Sequence, residues 1–210
     1  MMSNKKIILA TQNKGKVKEF KELLQEKVID VEVVSLFDIS PVPVIVEDAT
    51  TFKENAFKKA MIVCSHTGLV TLADDSGLEV DYLKGEPGVH SARFAGEAAD
   101  DQANNQKLLK MLEGVSYEKR TARFKCAICV MTPSGVYYET EGTCEGIIGT
   151  AAKGENGFGY DPLFYIPEQQ ATMAELPAAI KNKISHRAVA FEKAIELVKE
   201  IIGKDKGDCK

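Results

Sequence analysis

Two long segments in the second half of the chain constrain the fold most strongly. In residues 121–131 apolar side chains alternate with their neighbours, and a second extended run covers residues 136–151. Alternation with a period of two predicts a strand that shows its two faces to different surroundings. The linker Pro133-Ser134-Gly135 is a turn signal, so we expect strands over 121–132 and 136–151 to pair as a hairpin.

Strands and helices alternate on both sides of this hairpin. Residues 5–10 predict a short buried strand, 15–26 an amphipathic helix and 31–36 a second strand. Near the other end, residues 185–202 have apolar side chains at helical spacing and predict a final helix. Together these segments predict an α/β protein with a mixed sheet.

A further helix and a pair of strands are expected before the hairpin. Thr51 and Glu54 form a capping-box pattern, and Gly68 is placed to end the helix that follows. The apolar face predicted for this helix consists of Phe52, Ala56, Phe57, Ala60, Met61 and Cys64. Strands are expected over 69–73 and 78–82, and a helix from Asp100 or Asp101 to Glu113.

Composition limits the class of protein. The 210 residues, 1–210, suit one domain or two small lobes, with a polar and flexible tail at 203–210. No apolar run approaches the roughly 20 residues of a membrane span, and residues 7–10 are too short for a secretion signal. The net charge of −4 does not favour nucleic acid or an anionic membrane as a partner. We therefore expect a cytoplasmic protein.

The five cysteines are an odd and scattered set, which predicts free thiols. Cys126 and Cys129 form a CxxC pattern within the first strand of the hairpin. Residues three apart in a strand point to opposite faces, which argues against a shared metal or redox role.

The segment Thr11-Gln12-Asn13-Lys14-Gly15-Lys16 joins the first strand to the first helix. A strand-to-helix turn presents backbone N–H groups at the positive end of the helix dipole, which suits a phosphate. The lysines add charge, and Gly15 removes a side chain where an anion would approach. An ordinary capped turn with solvated lysines is the alternative.

Paired acids form the second candidate. Asp74-Asp75-Ser76-Gly77 follows an apolar strand, where α/β sheets place their ligands. The carboxylates suit a Mg²⁺ ligand or a general base, and a solvated turn is the alternative. Glu47, which precedes the predicted helix 52–67, could complete a metal site with Asp75, or could serve only as a charge near that helix.

Of two later candidate segments, the first suits a purine base. Gly157-Phe158-Gly159-Tyr160-Asp161-Pro162 offers aromatic faces and a directional acceptor, although a turn with core aromatics explains the same pattern. Lys181 and the segment Ser185-His186-Arg187 place basic side chains at the start of a helix. Positive charge is unfavourable there, because the N-terminus is the positive end of the helix dipole. An anionic or electron-rich ligand would relieve that conflict, and surface cations with Ser185 as N-cap are the alternative.

Together these segments resemble the Ham1-like, or inosine triphosphate pyrophosphatase, family. The matching motifs occur in the family's order and span nearly the whole chain: Thr11-x-Asn13-x-x-Lys16, Asp74-Asp75-Ser76-Gly77-Leu78, Pro87-Gly88-x-x-Ser91-Ala92-Arg93, Gly157-Phe158-Gly159-Tyr160-Asp161-Pro162 and Ser185-His186-Arg187.

The resemblance implies an elongated α/β fold of two lobes around a long mixed β-sheet, with flanking helices and a central nucleotide-binding cleft. It also implies a homodimer, a dependence on Mg²⁺ or Mn²⁺, and hydrolysis of ITP, dITP and XTP to the monophosphate and pyrophosphate. Two related interpretations stay open. One is a Maf-like pyrophosphatase for modified pyrimidine nucleotides, and the other is a nucleotide sensor without catalysis.

The resemblance also assigns roles to residues. Asp75 matches the proton acceptor, and Glu47 and Asp75 match the metal-binding acids. The expected substrate contacts are Thr11, Gln12, Asn13, Lys14, Gly15, Lys16, Ser76, Phe158, Gly159, Tyr160, Asp161, Lys181, His186 and Arg187.

Overall fold

A computed structural model of the chain describes residues 6–27, 31–97 and 100–204, with 202–204 described by their backbone alone. Lys5, the predicted tail beyond 204 and Cys209 lie outside the described residues. The chain divides into two compact units. The first comprises Met1–Asp75, Ala127–Glu141 and Val189–Lys210, and the second comprises Ser76–Cys126 and Gly142–Ala188.

Seven strands form one mixed sheet, which confirms the predicted fold class. In chain order the strands are β1 (Lys6–Leu9), β2 (Glu32–Ser35), β3 (Val70–Val80), β4 (Thr121–Met131), β5 (Tyr137–Ile148), β6 (Phe164–Ile166) and β7 (Ala171–Thr172). Their order in the sheet is β2-β1-β3-β4-β5-β6-β7. Strand β1 pairs in parallel with β2 and β3, whereas β6 pairs antiparallel with β5 and β7.

The described helices are α1 (Lys14–Glu26), α2 (Phe52–Thr67), α3 (Asp101–Met111), α4 (Ala178–Ile184) and α5 (His186–Lys204). The capping prediction for α2 is confirmed, because the Thr51 hydroxyl accepts the Glu54 N–H at 3.2 Å. Gly68 ends α2 with a left-handed φ of +65°. None of the helices in the described ranges is long and apolar enough to cross a membrane.

The hairpin between β4 and β5 is also confirmed. The Thr132 N–H donates to the Val136 carbonyl at 2.8 Å, and Gly135 turns the chain with a φ of +84°. Strand β5 ends at Ile148, before the predicted end at residue 151. The next residue, Gly149, donates its N–H to the Leu163 carbonyl at 2.7 Å.

The prediction of two strands, 69–73 and 78–82, separated by Asp74-Asp75-Ser76-Gly77 is wrong, and so is the alternative of a solvated turn there. Strand β3 runs without a break from Val70 to Val80 and contains all four residues. Both carboxylates lie in the strand interior, where Asp74 pairs with Lys16 and Asp75 pairs with Lys59. Burial of an acid is tolerated when the charge is paired, so the strand continues where local propensity favours a turn.

The predicted apolar face of α2 is confirmed for Phe52, Ala56, Ala60 and Cys64, which are buried. Asn55, Lys59 and Val63 are buried, whereas Met61, predicted to face the core, is 43% exposed. The prediction followed hydrophobicity alone and placed the two polar residues outside. They face inward because both bind a buried carboxylate of β3.

The second unit has its own hydrophobic core, centred on residues from β3 to α4. Its buried members include Leu78, Leu108, Leu112, Phe124, Ile148, Tyr160, Leu163, Phe164 and Met173. Arg120 lies beside this core and is only 3% exposed. Its guanidinium donates to the carbonyls of Leu112, Ile148 and Gly149, and burial lowers the pKa of Arg120. The arginine therefore joins α3 to the end of β5.

Several short elements escaped the sequence patterns. Strands β6 and β7 and helix α4 have seven residues or fewer each, which is too short for a periodic signal. Helix α5 continues through Lys204, past the predicted end at Ile202. The four described cysteines are buried, and none of them forms a disulfide, which agrees with the predicted thiols.

Candidate functional site

The turn between β1 and α1 is built by short polar side chains. Asn13 is the N-cap of α1, and its Oδ1 accepts the Lys16 N–H at 3.1 Å. The Thr11 hydroxyl accepts the Asn13 N–H, also at 3.1 Å. Gln12 and Lys14 are exposed, and Gly15 lies in the first turn of the helix. The capped turn is thus present, and it directs a helix N-terminus with polar neighbours toward solvent-accessible space.

The side chain of Lys16 extends from this turn to a carboxylate of the sheet. Its Nζ lies 2.8 Å from Asp74 Oδ2, and the two side chains are 13% and 1% exposed. Asp74 is the first acid of the pair in β3. The phosphate-binding lysine predicted from the sequence is therefore tied to an acid of the neighbouring predicted motif.

Both oxygens of Asp75 are held by one face of α2. Asn55 Nδ2 donates to Oδ2 at 3.1 Å, and Lys59 Nζ donates to Oδ1 at 3.0 Å. Asn55 and Lys59 are four residues apart, so they lie on the same side of the helix. Sequence reasoning missed both residues. The available signal was two polar side chains at helical spacing among the apolar ones.

Glu47 reaches the same lysine from the extended segment before α2. Its Oε2 lies 3.3 Å from Lys59 Nζ, and its side chain is 41% exposed. Asn55 helps to place this segment, because its Oδ1 accepts the Ala49 N–H at 3.0 Å. We call Lys16, Glu47, Asn55, Lys59, Asp74 and Asp75 the acid cluster of the first unit.

Burial and charge act against each other in this cluster. Burial raises the pKa of Asp75 above its ordinary value, although Lys59 and Lys16 oppose that change. Burial alone would lower the pKa of Lys59, but the negative charges of Asp75, Asp74 and Glu47 outweigh it and raise that pKa. Lys59 therefore remains a cation at neutral pH, and Asp75 is a stronger proton acceptor than a solvated aspartate.

The acid cluster suits a hard divalent cation. Among the described residues, no three His, Cys, Asp or Glu side chains converge as a ready metal site. Glu47 and Asp75 nevertheless approach a single cationic atom, Lys59 Nζ. Mg²⁺ is usually held by one or two carboxylates together with water and substrate phosphates. Two carboxylate donors that already share one cation fit that requirement.

The second unit contains the loop 157–162, which we call the aromatic loop. Lys181 Nζ, on α4, lies 2.6 Å from Asp161 Oδ2, and each side chain is 10% exposed. Gly157 has a φ of +89°, and a Cβ added there would lie 2.0 Å from Asp161 Oδ2 and 2.5 Å from Lys181 Nζ. The ion pair thus occupies the space that any other residue at 157 would need.

Helix α3 holds the middle of the aromatic loop. The Gly159 N–H donates to Asp101 Oδ2 at 2.7 Å, and its carbonyl accepts from Asn105 Nδ2 at 2.9 Å. Tyr160 is 4% exposed and donates its hydroxyl to the Ser91 carbonyl at 2.8 Å. Burial, with the nearby charge of Asp101, raises the pKa of Tyr160. Its ring is therefore a core aromatic, and its substrate contact stays a prediction.

Arg187 brings the aromatic loop together with the start of α5 and β3. Its guanidinium carbon lies 5.2 Å from the centre of the Phe158 ring, within cation–π range. Its Nη2 donates to the Ser76 hydroxyl at 3.3 Å. His186 stacks on Phe124 with ring centres 4.8 Å apart. Arg187 and His186 are 4% and 5% exposed, so neither is a surface cation.

The last helix has Ser185 as its N-cap, as one of the two predicted alternatives proposed. Ser185 Oγ accepts the Ala188 N–H at 3.1 Å, which is an N-cap bond. The cationic residues that follow are nevertheless buried, and they contact a ring and a hydroxyl. The second unit therefore offers a planar cation, an aromatic face and a hydroxyl in one place, which suits a flat polar ligand.

Comparison with known proteins gives consistent matches along the chain. Residues 7–197 match the model of the Ham1 family. A dITP/XTP pyrophosphatase of Desulforamulus reducens is 55% identical over 93% of this chain and 96% of its own length. One from Bacillus licheniformis is 51% identical over 92% of this chain and 98% of its own. The solved structure of a HAM1 protein from Coxiella burnetii has a TM-score of 0.83 and 41% identity, covering 93% of this chain and 99% of that one.

Proposed function

Because this chain belongs to the Ham1 family, we propose that it hydrolyses ITP, dITP and XTP to the nucleoside monophosphate and pyrophosphate. Relatives about half identical to it are named dITP/XTP pyrophosphatases. The observation that carries the proposal is the buried Asp75, whose oxygens are both held in place by α2. A buried acid that is fixed in direction and has a pKa raised by burial is typical of a catalytic group.

The triphosphate is bound by the first unit. A nucleoside triphosphate carries about four negative charges, and a protein of net charge −4 must concentrate its cations locally to hold it. The N-terminus of α1 and the segment Thr11 to Lys16 supply N–H groups, a positive dipole end and Lys16. We assign this segment to the phosphates that leave as pyrophosphate.

Asp75 acts as the general base for the attacking water. Each carboxylate oxygen can accept more than one hydrogen bond, so the bonds from Asn55 and Lys59 leave capacity for a water. Those bonds fix the direction of the carboxylate, and its raised pKa makes it a better proton acceptor. Attack at the α-phosphorus then breaks the bond between the α- and β-phosphates.

Glu47 and Asp75 would hold Mg²⁺ together with the phosphates. When bound, Mg²⁺ supplies positive charge where negative charge develops on the phosphate oxygens. Lys59 contacts both acids, and its charge would balance a carboxylate that the metal does not neutralise.

The base is recognised by the second unit. Hypoxanthine and xanthine carry an acceptor oxygen at C6, whereas adenine carries a donor amine there. Arg187, with His186 beside it, donates to that oxygen, and Phe158 provides an aromatic face. With ATP, donor would face donor and leave buried groups unpaired, which can discriminate by roughly 10⁴-fold.

We also propose that the protein is a homodimer and lies in the cytoplasm. The free, buried cysteines are consistent with a reducing compartment. Light scattering from purified protein tests the assembly, and a mass near twice the 23.0 kDa of one chain is expected. A mass of one chain would contradict the dimer without affecting the proposed reaction.

Product analysis tests the reaction itself. Purified protein is incubated with Mg²⁺ and, separately, with ITP, XTP, dITP, GTP and ATP, and products are resolved by ion-exchange chromatography. Monophosphate and pyrophosphate from ITP, dITP and XTP are expected, with far slower release from ATP. Diphosphate and phosphate would mean attack at the γ-phosphate and would contradict the placement of the triphosphate.

A further inference from the structure

Helix α3 hydrogen-bonds to the aromatic loop at the backbone of Gly159. Asp101 Oδ2 accepts the Gly159 N–H, and Asn105 Nδ2 donates to the Gly159 carbonyl. The two side chains are four residues apart and therefore lie on one face of α3. Both hydrogen-bonding groups of Gly159 are thus fixed from outside the loop.

The same helix also holds a second segment of the unit. Asn104 is 2% exposed, and its side chain accepts the Ala95 N–H at 2.6 Å and donates to the Ala92 carbonyl at 3.0 Å. These residues lie at the end of the short helix Gly88–Arg93, whose Ser91 carbonyl accepts the Tyr160 hydroxyl. The contacts form a closed ring in which α3, this segment and the aromatic loop each hold the other two.

Asn105 bears a feature that stability alone does not explain. Within the part of the chain that the structure describes, its Oδ1 is buried and accepts no hydrogen bond. A buried acceptor without a donor is unfavourable, so the side chain is retained in spite of that penalty. The other polar atom of this side chain, Nδ2, is the one that holds Gly159.

The residues on either side of Gly159 are those that the base would meet. Phe158 lies against Arg187, and Asp161 pairs with Lys181. Gly159 has a φ of +62°, and a Cβ added there would meet no atom within 4 Å, so packing around it does not fix the turn. Two sets of hydrogen bonds hold this turn: the Asp161 N–H donates to the Phe158 carbonyl at 3.3 Å within the loop, and Asp101 and Asn105 bond to Gly159 from α3.

We propose that Asp101 and Asn105 are positioning residues that set the aromatic loop for base recognition. This inference rests on the proposed function, because it concerns the loop assigned to the base. Neither residue touches the phosphate-binding turn or the acid cluster in its observed contacts. Their loss should therefore weaken substrate binding and base discrimination more than the turnover of bound substrate.

Substitutions at Asp100, Asp101 and Asn105 distinguish a role in positioning the loop from a role in stabilising helix α3. Asp101→Ala removes the bond to Gly159, and Asp101→Asn retains an acceptor oxygen in the same place. Asp100→Ala is the matched control, because Asp100 caps α3 through the Ala103 N–H at 2.7 Å and does not bond to Gly159. Asn105→Ala tests the bond to the Gly159 carbonyl.

Two measurements are made on each variant. Exchange of the Gly159 amide hydrogen is followed by NMR in the free protein, and kcat and KM are measured for ITP and ATP with Mg²⁺. For Asp101→Ala we expect amide exchange and the KM for ITP each to rise about tenfold, with little change in kcat. Asp101→Asn should stay within about twofold of the wild type, since a neutral acceptor retains the bond.

The control variants decide between positioning and stability. Asp100→Ala should lower the melting temperature but leave Gly159 exchange and KM unchanged. Asn105→Ala should raise KM without a matching loss of stability, because it also removes the buried unpaired oxygen. Equal effects of Asp100→Ala and Asp101→Ala on KM, or an Asp101→Ala protein with wild-type exchange and KM, would overturn the inference.

Failure of the proposed function would be recognised separately. If the wild-type protein hydrolyses no purine triphosphate, the function is wrong, whereas Gly159 exchange in the free protein still decides whether α3 positions the loop.

Discussion

The acid cluster of the first unit and the aromatic loop of the second are held in different ways. In the acid cluster, charged side chains bond to charged side chains, as in the contacts of Lys16 with Asp74 and of Lys59 with Asp75. In the aromatic loop, side chains mainly bond to backbone groups, as at Gly159. Charge pairing sets protonation and reactivity, whereas backbone bonding sets shape.

The difference matches what each half of a nucleotide requires. The acid cluster contains two lysines and three carboxylates, so its formal charge is negative until a metal or a proton is added. The aromatic loop and Arg187 offer a planar arrangement in which direction matters more than net charge. Damage to the first should therefore affect the rate of reaction, and damage to the second should affect the choice of base.

The largest expected effect comes from removing the general base. Asp75→Asn keeps the size of the side chain but cannot take a proton, so turnover of ITP should fall by about 10³-fold or more while nucleotide binding persists. Single-turnover kinetics and calorimetric binding measure the two separately. Glu79→Gln is the control, because Glu79 is also in β3 but pairs with Lys125 at 3.0 Å. Equal loss in both variants would contradict the assignment of Asp75.

The second largest effect is expected on the preference for ITP over ATP. Arg187→Ala removes the donor to the 6-oxo group, so the preference for ITP over ATP in kcat/KM should fall by about 10²-fold or more. Arg123→Ala provides a control in the same unit, since Arg123 is a more exposed arginine that pairs with Asp81 and Glu145. If the preference survives in Arg187→Ala, the hypothesis for base recognition is wrong.

Two glycines of the aromatic loop sharpen the comparison further. Both have positive φ, but only at Gly157 would a Cβ meet the Asp161–Lys181 pair. Both variants should have the strain of a left-handed residue, about 1–2 kcal/mol of unfolding free energy. Gly157→Ala should also raise the KM for ITP about tenfold, and Gly159→Ala should raise it less, because a Cβ there meets no atom. Thermal unfolding and steady-state kinetics give both quantities. If the two variants have the same KM and the same stability, the Asp161–Lys181 pair can move away from a side chain at residue 157.

The smallest expected effect is a shift in the pH at which the Asp75 carboxylate titrates. Burial raises the pKa of Asp75, and the negative charge of Glu47 adds to that rise. In metal-free protein the Asp75 carboxylate should thus gain a proton at a higher pH than a solvated aspartate does. Glu47→Gln should move the titration of Asp75 to lower pH, as measured by carbon NMR in metal-free protein. An unchanged or upward shift would contradict the coupling.

Local signals in the sequence were sufficient for much of the fold. Thr51, Gly68 and Gly135 fix caps and turns through interactions within a few residues, and those predictions hold. The conformation of Asp74-Asp75-Ser76-Gly77 could not be inferred locally. Its strand depends on lysines from α1 and α2, which are distant in the chain.

The candidate site was predictable to a similar extent. The motifs containing Asp75, Asp161 and Arg187 were singled out from residue type and spacing. Lys59 and Asn55 were missed because their roles depend on which face of α2 meets β3. Asp101 and Asn105 were missed for a related reason, since they act on the backbone of a loop that is 58 and 54 residues away from them in sequence.

The internal pairing of Lys16 and Lys59 has a consequence for the ionic environment of the protein. Each ammonium already holds a carboxylate as its counter-ion, so the free protein attracts few mobile ions to these positions. A nucleotide bound as proposed would exchange one anionic partner for another instead of displacing a layer of dissolved salt. Its affinity should therefore vary less steeply with ionic strength than that of an open basic groove.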